Sequence, residues 1–230
     1  MDFTLIPVSK DSSAWQCSIL KLGGVTVLLN CGWNERYDTE LLAPLIPHLS
    51  DLDLIVLTHA DIKHLGALPY LLTKYPINCP VIATEPVCRL GELSCVACLE
   101  DREKYRAPIE DFEVDDVLRT FMSRVRPVNY REVFHAHARG RMLAVTAYPA
   151  GLHLGSAYWV LQSGGRACTH VIRILLLQLM RGRRRAHHAL TARVSPRIPP
   201  GSFQLCCGEW GTLLRIEVRL RCNSGSGSTC

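Results

Sequence analysis

Residues 52–70 read LDLIVLTHADIKHLGALPY, and this stretch decides how the rest of the chain is read. The apolar run Leu52–Thr58 has the length of a buried strand. It stops at His59, and His64 follows with Asp61 and Lys63 between them. A loop leaving a strand end is held in place by the sheet, which makes it a good carrier of functional side chains. Two adjacent zinc ions would need several His and Asp groups converging there. The spacing His-x-His-x-Asp-His meets that need, with two histidines for one metal and the Asp-His pair for the other. Here Asp61 stands where the second histidine belongs, and Lys63 stands where the aspartate belongs.

Outward from this point, strands and helices alternate. AWQCSIL (14–20) and GVTVLLNC (24–31) read as strands joined by a turn at Leu22-Gly23-Gly24. Thr39 is positioned to cap a helix through Leu49. Residues 64–75 repeat leucines at helical spacing and stop before Pro76, and NCPVIAT (78–84) reads as the next strand. A helix is predicted from Pro86 toward Arg102, with a further one, VLRTFMSRV, opened by Asp115 or Asp116. YREVFHAH and MLAVTAYPA read as a hairpin through 138–141, followed by the strand SAYWVLQSGG. The pattern is that of an α/β sheet protein with helices packed on it.

Composition bounds the class. The chain has 230 residues, 48% of them hydrophobic and 20% charged, with no apolar run of membrane-spanning length. The first residues, MDFTLIPVSKDSSAW, lack the basic start and apolar core of a secretory signal. The eleven cysteines therefore read as reduced thiols of a cytosolic or nuclear protein. The net charge of +5 averages two unlike segments. Residues 166–230 hold eleven Arg, two Glu and neither Lys nor Asp, whereas residues 1–165 carry 15 basic and 19 acidic groups.

Five segments, LLNCGW (28–33), LTHADIKHLGALPYL (57–71), CPVIATEPV (79–87), DFEVDDV (111–117) and PAGLHLGSAYW (149–159), carry a family resemblance. In content and order, over roughly residues 3–165, the chain resembles the metallo-β-lactamase/β-CASP nucleases of RNA processing. It is most similar to their inactive members, which accompany the endonuclease. The resemblance implies an αββα sandwich, incomplete here and followed by an unassigned basic tail.

Transferring the family's ligands residue by residue leaves a degenerate site. His59 matches the first ligand and His64 the last. Asp61 replaces a histidine with a carboxylate that still has affinity for zinc. Lys63 brings an ammonium, which only donates hydrogen bonds and repels a dication. Leu152 stands where the next histidine belongs, with His153 one place later. On an extended segment that slip points the side chain to the opposite face. Asn30 replaces a family aspartate, and no Asp lies beyond residue 165 to serve as the bridging ligand. His59 with Asp61 for one metal and His64 alone for the other fall short of the three protein ligands a catalytic zinc needs. The expectation is therefore no metal, no cofactor and no catalytic residue, with Asn30, His59, Asp61, Lys63, His64 and Leu152 as relics. Two readings of Lys63 stay open: its ammonium fills the vacant pocket and pairs with Asp61, or it is a solvated lysine.

By resemblance, the partners expected are pre-mRNA, an active β-CASP endonuclease and other subunits of the nuclear cleavage and polyadenylation complex, with no membrane. The alternative is a zinc-dependent nuclease or hydrolase that recruits His153, and a third reading is a fragment without a function of its own. His135 and His137 share one face of a strand, an arrangement able to bind metal but lacking a third ligand. Cys95-x-x-Cys98 lies in a predicted helix without a matching pair, and Cys206-Cys207 has no zinc-like spacing. Residues 166–230 match nothing in the family. Eleven arginines without a lysine fit translation of GC-rich DNA in another frame, or through an unspliced intron, better than a selected basic surface. A genuine tail of this kind would suit RNA phosphates, nuclear import or an anionic membrane surface.

Overall fold

The computed structural model describes residues 2–9, 15–105, 109–164, 168–178, 190–193, 202–206 and 212–222. The order opens with β1 (Asp2–Pro7), β2 (Ser18–Leu22), β3 (Val25–Leu29) and β4 (Leu54–Val56). Helices α1 (Ile62–Leu65) and α2 (Leu68–Lys74), strand β5 (Val81–Thr84) and helices α3 (Glu85–Tyr105) and α4 (Val114–Ser123) follow. Then come β6 (Val125–Val128), β7 (Val133–Ala138), β8 (Arg141–Pro149) and β9 (Ala157–Gly164). The remaining described strands are β10 (Cys168–Gln178), β11 (Leu190–Arg193), β12 (Ser202–Cys206) and β13 (Thr212–Cys222).

Two sheets result. One has the order β11-β1-β2-β3-β4-β5-β6, and the other β12-β13-β10-β9-β8-β7. Strands β3 to β6 run parallel, because each crossover carries 3-10 turns or helices, while the hairpins are antiparallel. Every residue of β3, β4 and β5 is buried, as expected of strands covered on both faces. Their side chains divide by pleat. Leu28, Ile55 and Val81 enter a core that also holds Leu65, Leu68, Leu99, Val117 and Phe121 from the helices. Val27, Leu29, Leu54, Val56 and Ile82 face the other way, against Leu143, Val145, Trp159 and Leu161 of the second sheet. The described layers are thus helices, sheet and sheet.

Turn chemistry fixes the register. Gly23 and Gly24 have φ of 54° and 85°, the two-residue hairpin that matches strand twist. Arg139 tips the β7–β8 hairpin and reaches the first sheet, donating to the Asp51 carbonyl at 3.0 Å and pairing with Asp53 at 3.4 Å.

Three sequence expectations change. The helix predicted from Thr39 to Leu49 is two 3-10 turns, Thr39–Leu42 and Ile46–Asp51. Pro44 and Pro47 lack the amide hydrogens that a continuous helix would use. The helix predicted over 64–75 begins at Ile62 and divides after Leu65. The C-terminal end of VLRTFMSRV leaves its helix after Ser123 and pairs with β5 as β6. Strands β9 and β10 pair in register from Thr169↔Gly164 to Ile174↔Trp159. No helix among the described residues is long and apolar enough to cross a membrane.

Candidate functional site

Three loops leave the carboxyl ends of β3, β4 and β8 and meet at one edge of the sheets. This is where open α/β sheets place their ligands. The first two loops are stitched by their backbones: Cys31 N donates to the His64 carbonyl at 2.7 Å and Trp33 N to the Ile62 carbonyl at 2.9 Å. Gln16 N donates to the Lys63 carbonyl at 2.6 Å. Gly32 permits this approach, since a Cβ there would lie 1.7 Å from the Lys63 carbonyl oxygen. The third loop closes on Ser156, whose hydroxyl donates to the His153 carbonyl and accepts from His153 N at 3.0 Å. Ala157 N donates to the Thr58 carbonyl and Trp159 Nε1 to the Leu57 carbonyl, each at 3.0 Å, so the loop hangs on β4.

His59 is buried beside Thr58 and Asn30. Asn30 adopts φ 59°, a conformation Asn tolerates. Its Oδ1 accepts from Thr58 N at 2.9 Å, which fixes the amide orientation, and also accepts from Thr58 Oγ1 at 3.0 Å. The single hydroxyl proton being so used, the 2.7 Å contact between Thr58 Oγ1 and His59 Nδ1 requires His59 to donate. His59 is then the Nδ1–H tautomer, and its Nε2 lone pair has no hydrogen-bond partner among the described residues. Burial, joined by the neighbouring His64 and His153 and opposed by Asp61, lowers its pKa to about 4.

His64 and Asp61 form the second part. His64 Nδ1 sits 2.7 Å from Asp61 Oδ1 across the first turn of α1. Burial alone would raise the Asp61 carboxyl. The hydrogen bond and charge of His64, with the charge of His59 and the Lys63 amide, outweigh it and hold Asp61 below the usual carboxylate range. The His59 and His64 rings are 4.4 Å apart between centroids at 32°.

Of the two readings of Lys63 the solvated one holds, and the expectation for His153 is corrected. Lys63 does not fill the pocket: its side chain is exposed, and the carboxylate meant for it is held by His64. Asp61 therefore stands with His64, not with His59. The expected turning-away of His153 also fails, because residues 151–155 bend and are not extended, with Gly151 at φ 77°. The His153 ring lies 5.9 Å from that of His59, edge to face, while Leu152 points outward at 38% exposure.

A zinc centre of the kind implied by the resemblance does not fit these side chains. Among the described residues, no three His, Cys, Asp or Glu groups are arranged to hold a metal ion. Asn30 offers an NH2 donor, without a partner among the described residues, where the resemblance implies an aspartate. Elsewhere, His135 and His137 lie on the exposed face of β7. Cys95 is buried and Cys98 half-buried within α3, both free thiols that burial pushes up in pKa. Cys206 and Cys207 fall outside the side chains described. An open, largely polar cavity of about 940 Å³ lies away from the histidines, lined by Tyr37, Tyr70, Lys74, Arg102 and Glu110 among others.

The chain is similar to known proteins. Cleavage and polyadenylation specificity factor subunit 2 of Arabidopsis thaliana is 32% identical over 157 residues, or 67% of this chain and 21% of that protein. The corresponding probable subunit 2 of Drosophila melanogaster is 33% identical over 62% of this chain and 19% of its own length. Integrator complex subunit 11 of Danio rerio is 23% identical over 67% and 26%. The chain thus spans about a fifth of the length of the subunit 2 relatives (21% and 19%). Among solved structures, the subclass B3 metallo-β-lactamase BJP-1 of Bradyrhizobium japonicum aligns with a TM-score of 0.43 at 17% identity, covering 70% of this chain and 55% of that one. The sequence profile of the metallo-beta-lactamase superfamily domain matches residues 19–174, and the chain belongs to that superfamily.

Proposed function

We propose that this chain is a non-catalytic, pseudo-nuclease component of pre-mRNA 3′-end processing. In this reading it acts in the nucleus, pairing with an active β-CASP endonuclease and other subunits of the cleavage and polyadenylation complex on pre-mRNA. The observation that carries the proposal is the pairing of Asp61 with His64 while Lys63 turns to solvent. Of the side chains that would ligate two metals, Asp61 and His64 are committed to each other, and Lys63 and Leu152 are replacements. Without a metal to lower the pKa of a water or to neutralise phosphate charge, a phosphodiester is not activated here. The names of the subunit 2 relatives support the processing assignment. Residues 166–230 are an Arg-rich extension outside the family-like region in the same reading. Two assays test it: phosphodiester cleavage by the purified full chain with added zinc, and its co-purification with a β-CASP endonuclease. Retention of the endonuclease without cleavage is expected. Metal-dependent cleavage abolished by His59→Ala would overturn it.

A second reading has one observation in its favour. The unpartnered His59 Nε2 and the nearby His153 ring are the beginning of a different ligand set. In that reading His59, Asp61, His64 and His153 form an altered zinc site of a hydrolase. Stoichiometric zinc that survives dialysis and depends on His153 would favour it.

A further inference from the structure

Among the described residues, strand β7 is an edge of the second sheet, and its own residues carry none of the usual guards. Edge strands usually discourage pairing with charge, Pro or a bulge. The neighbouring edge does so: β6 carries Arg126 and Pro127, and Arg126 lies over Phe134 of β7, 5.1 Å from the ring centroid. β7 itself reads VFHAHA, with neither Pro nor Lys, Arg, Asp or Glu. Its residues alternate strictly, with Phe134, Ala136 and Ala138 buried and Val133, His135 and His137 exposed.

The hairpin fixes which backbone groups are available. Its two-residue turn is Arg139-Gly140, both at positive φ (49° and 75°), so the closing pair Ala138 and Arg141 exchanges both ladder bonds. By alternation, Ala136 bonds to Leu143 and Phe134 to Val145. The N–H and C=O groups of His135 and His137 then point away from β8, along the free edge.

We propose that β7 is a zinc-dependent self-association edge, where two copies of this chain pair antiparallel and their four His135 and His137 side chains share one zinc ion. Centring the pair on Ala136 sets His135 of each copy opposite His137 of the other, as hydrogen-bonded pairs with Cβ atoms about 5 Å apart. Along one strand the two histidines are about 7 Å apart on the same face. Four imidazoles then converge from the corners of a small rectangle, a nitrogen set suited to tetrahedral zinc. One copy provides only two nitrogens, so the site is incomplete until a second copy arrives. The centre of the register opposes Ala136 to itself, leaving the backbones free to approach. No residue of the His59 cluster takes part.

Sedimentation velocity of the full chain tests this, with zinc chloride added to half an equivalent and then removed with EDTA. Conversion of monomer to dimer is expected, with one zinc per two chains and full reversal by EDTA. The double variant H135A/H137A, altered only at exposed positions, should keep its far-UV circular dichroism and remain monomeric in zinc. Three results would overturn the proposal: no dimer with zinc, a dimer indifferent to EDTA, or an equal dimer from the double variant. The last would assign the zinc to other groups, since the double variant keeps its thiols and the His59 cluster.

Discussion

His64 Nδ1 and Asp61 Oδ1 lie 2.7 Å apart across the first turn of α1, and this contact occupies the carboxylate that stands at the motif's second histidine position. Asp61 is about half exposed, 48% by side chain, so its contribution is modest. Asp61→Ala is expected to cost about 1 kcal/mol in urea denaturation, a charge-assisted bond reduced by solvent screening. Lys63→Ala, at an exposed position, should change stability by less than about 0.5 kcal/mol. A larger loss for Lys63→Ala than for Asp61→Ala would restore the idea that the ammonium fills the pocket.

Stability should depend on pH through His59. Its folded pKa of about 4 lies below the ordinary 6.5, so the unfolded chain binds a proton that the folded one refuses. The contribution is complete above pH 6.5 and is lost as pH falls toward about 4. It amounts to something on the order of 3 kcal/mol at about 1.4 kcal/mol per pKa unit. Asp61, whose carboxyl is lowered, adds a loss only at pH values below the unfolded carboxylate range. Urea midpoints from pH 7 to pH 4.5 should fall more steeply for the parent chain than for His59→Gln. Parallel slopes would contradict the assignment of His59 as a buried neutral base.

The hydroxyl of Thr58 links His59 to Asn30. Thr58→Val keeps the shape but removes the acceptor, leaving a buried N–H unsatisfied at about 1–3 kcal/mol. It should also release the tautomer, moving the His59 proton from Nδ1 toward Nε2. Thr58→Ser should keep the tautomer and lose less. An unaltered nitrogen spectrum in Thr58→Val would break the proposed chain of donors.

Gly32→Ala is expected to be severe. Its Cβ would meet the Lys63 carbonyl at 1.7 Å, so the loop after β3 and the 62–64 turn must part. A loss above about 3 kcal/mol, beyond ordinary overpacking, is expected, seen as reduced soluble yield and a lowered Tm. A near-parental Tm would show that this stitch is dispensable.

Much of this was legible in the sequence, for identifiable reasons. The run Leu52–Thr58 and the Gly23-Gly24 and Arg139-Gly140 turns read correctly because buried strands and tight hairpins impose local composition. Helix limits failed where Pro44 and Pro47 forced 3-10 turns, and where Val125 left a helical pattern to join a sheet. The Asp61–His64 contact had a signal that was passed over: residues three apart on a helix face each other. His153 had none. Its place beside His59 depends on a bend closed by Ser156, which no spacing rule encodes.

We propose that His59 and His64 belong to a hydrogen-bonded cluster and not to a metal centre. Long-range proton–nitrogen spectra of the histidine side chains, before and after one equivalent of zinc chloride, test it most directly. The expected result is a His59 signal of the Nδ1–H tautomer, with His59 and His64 unmoved by zinc. Movement of His59 Nε2 together with His64 on adding the metal would contradict the claim and make the site a zinc centre with an altered ligand set.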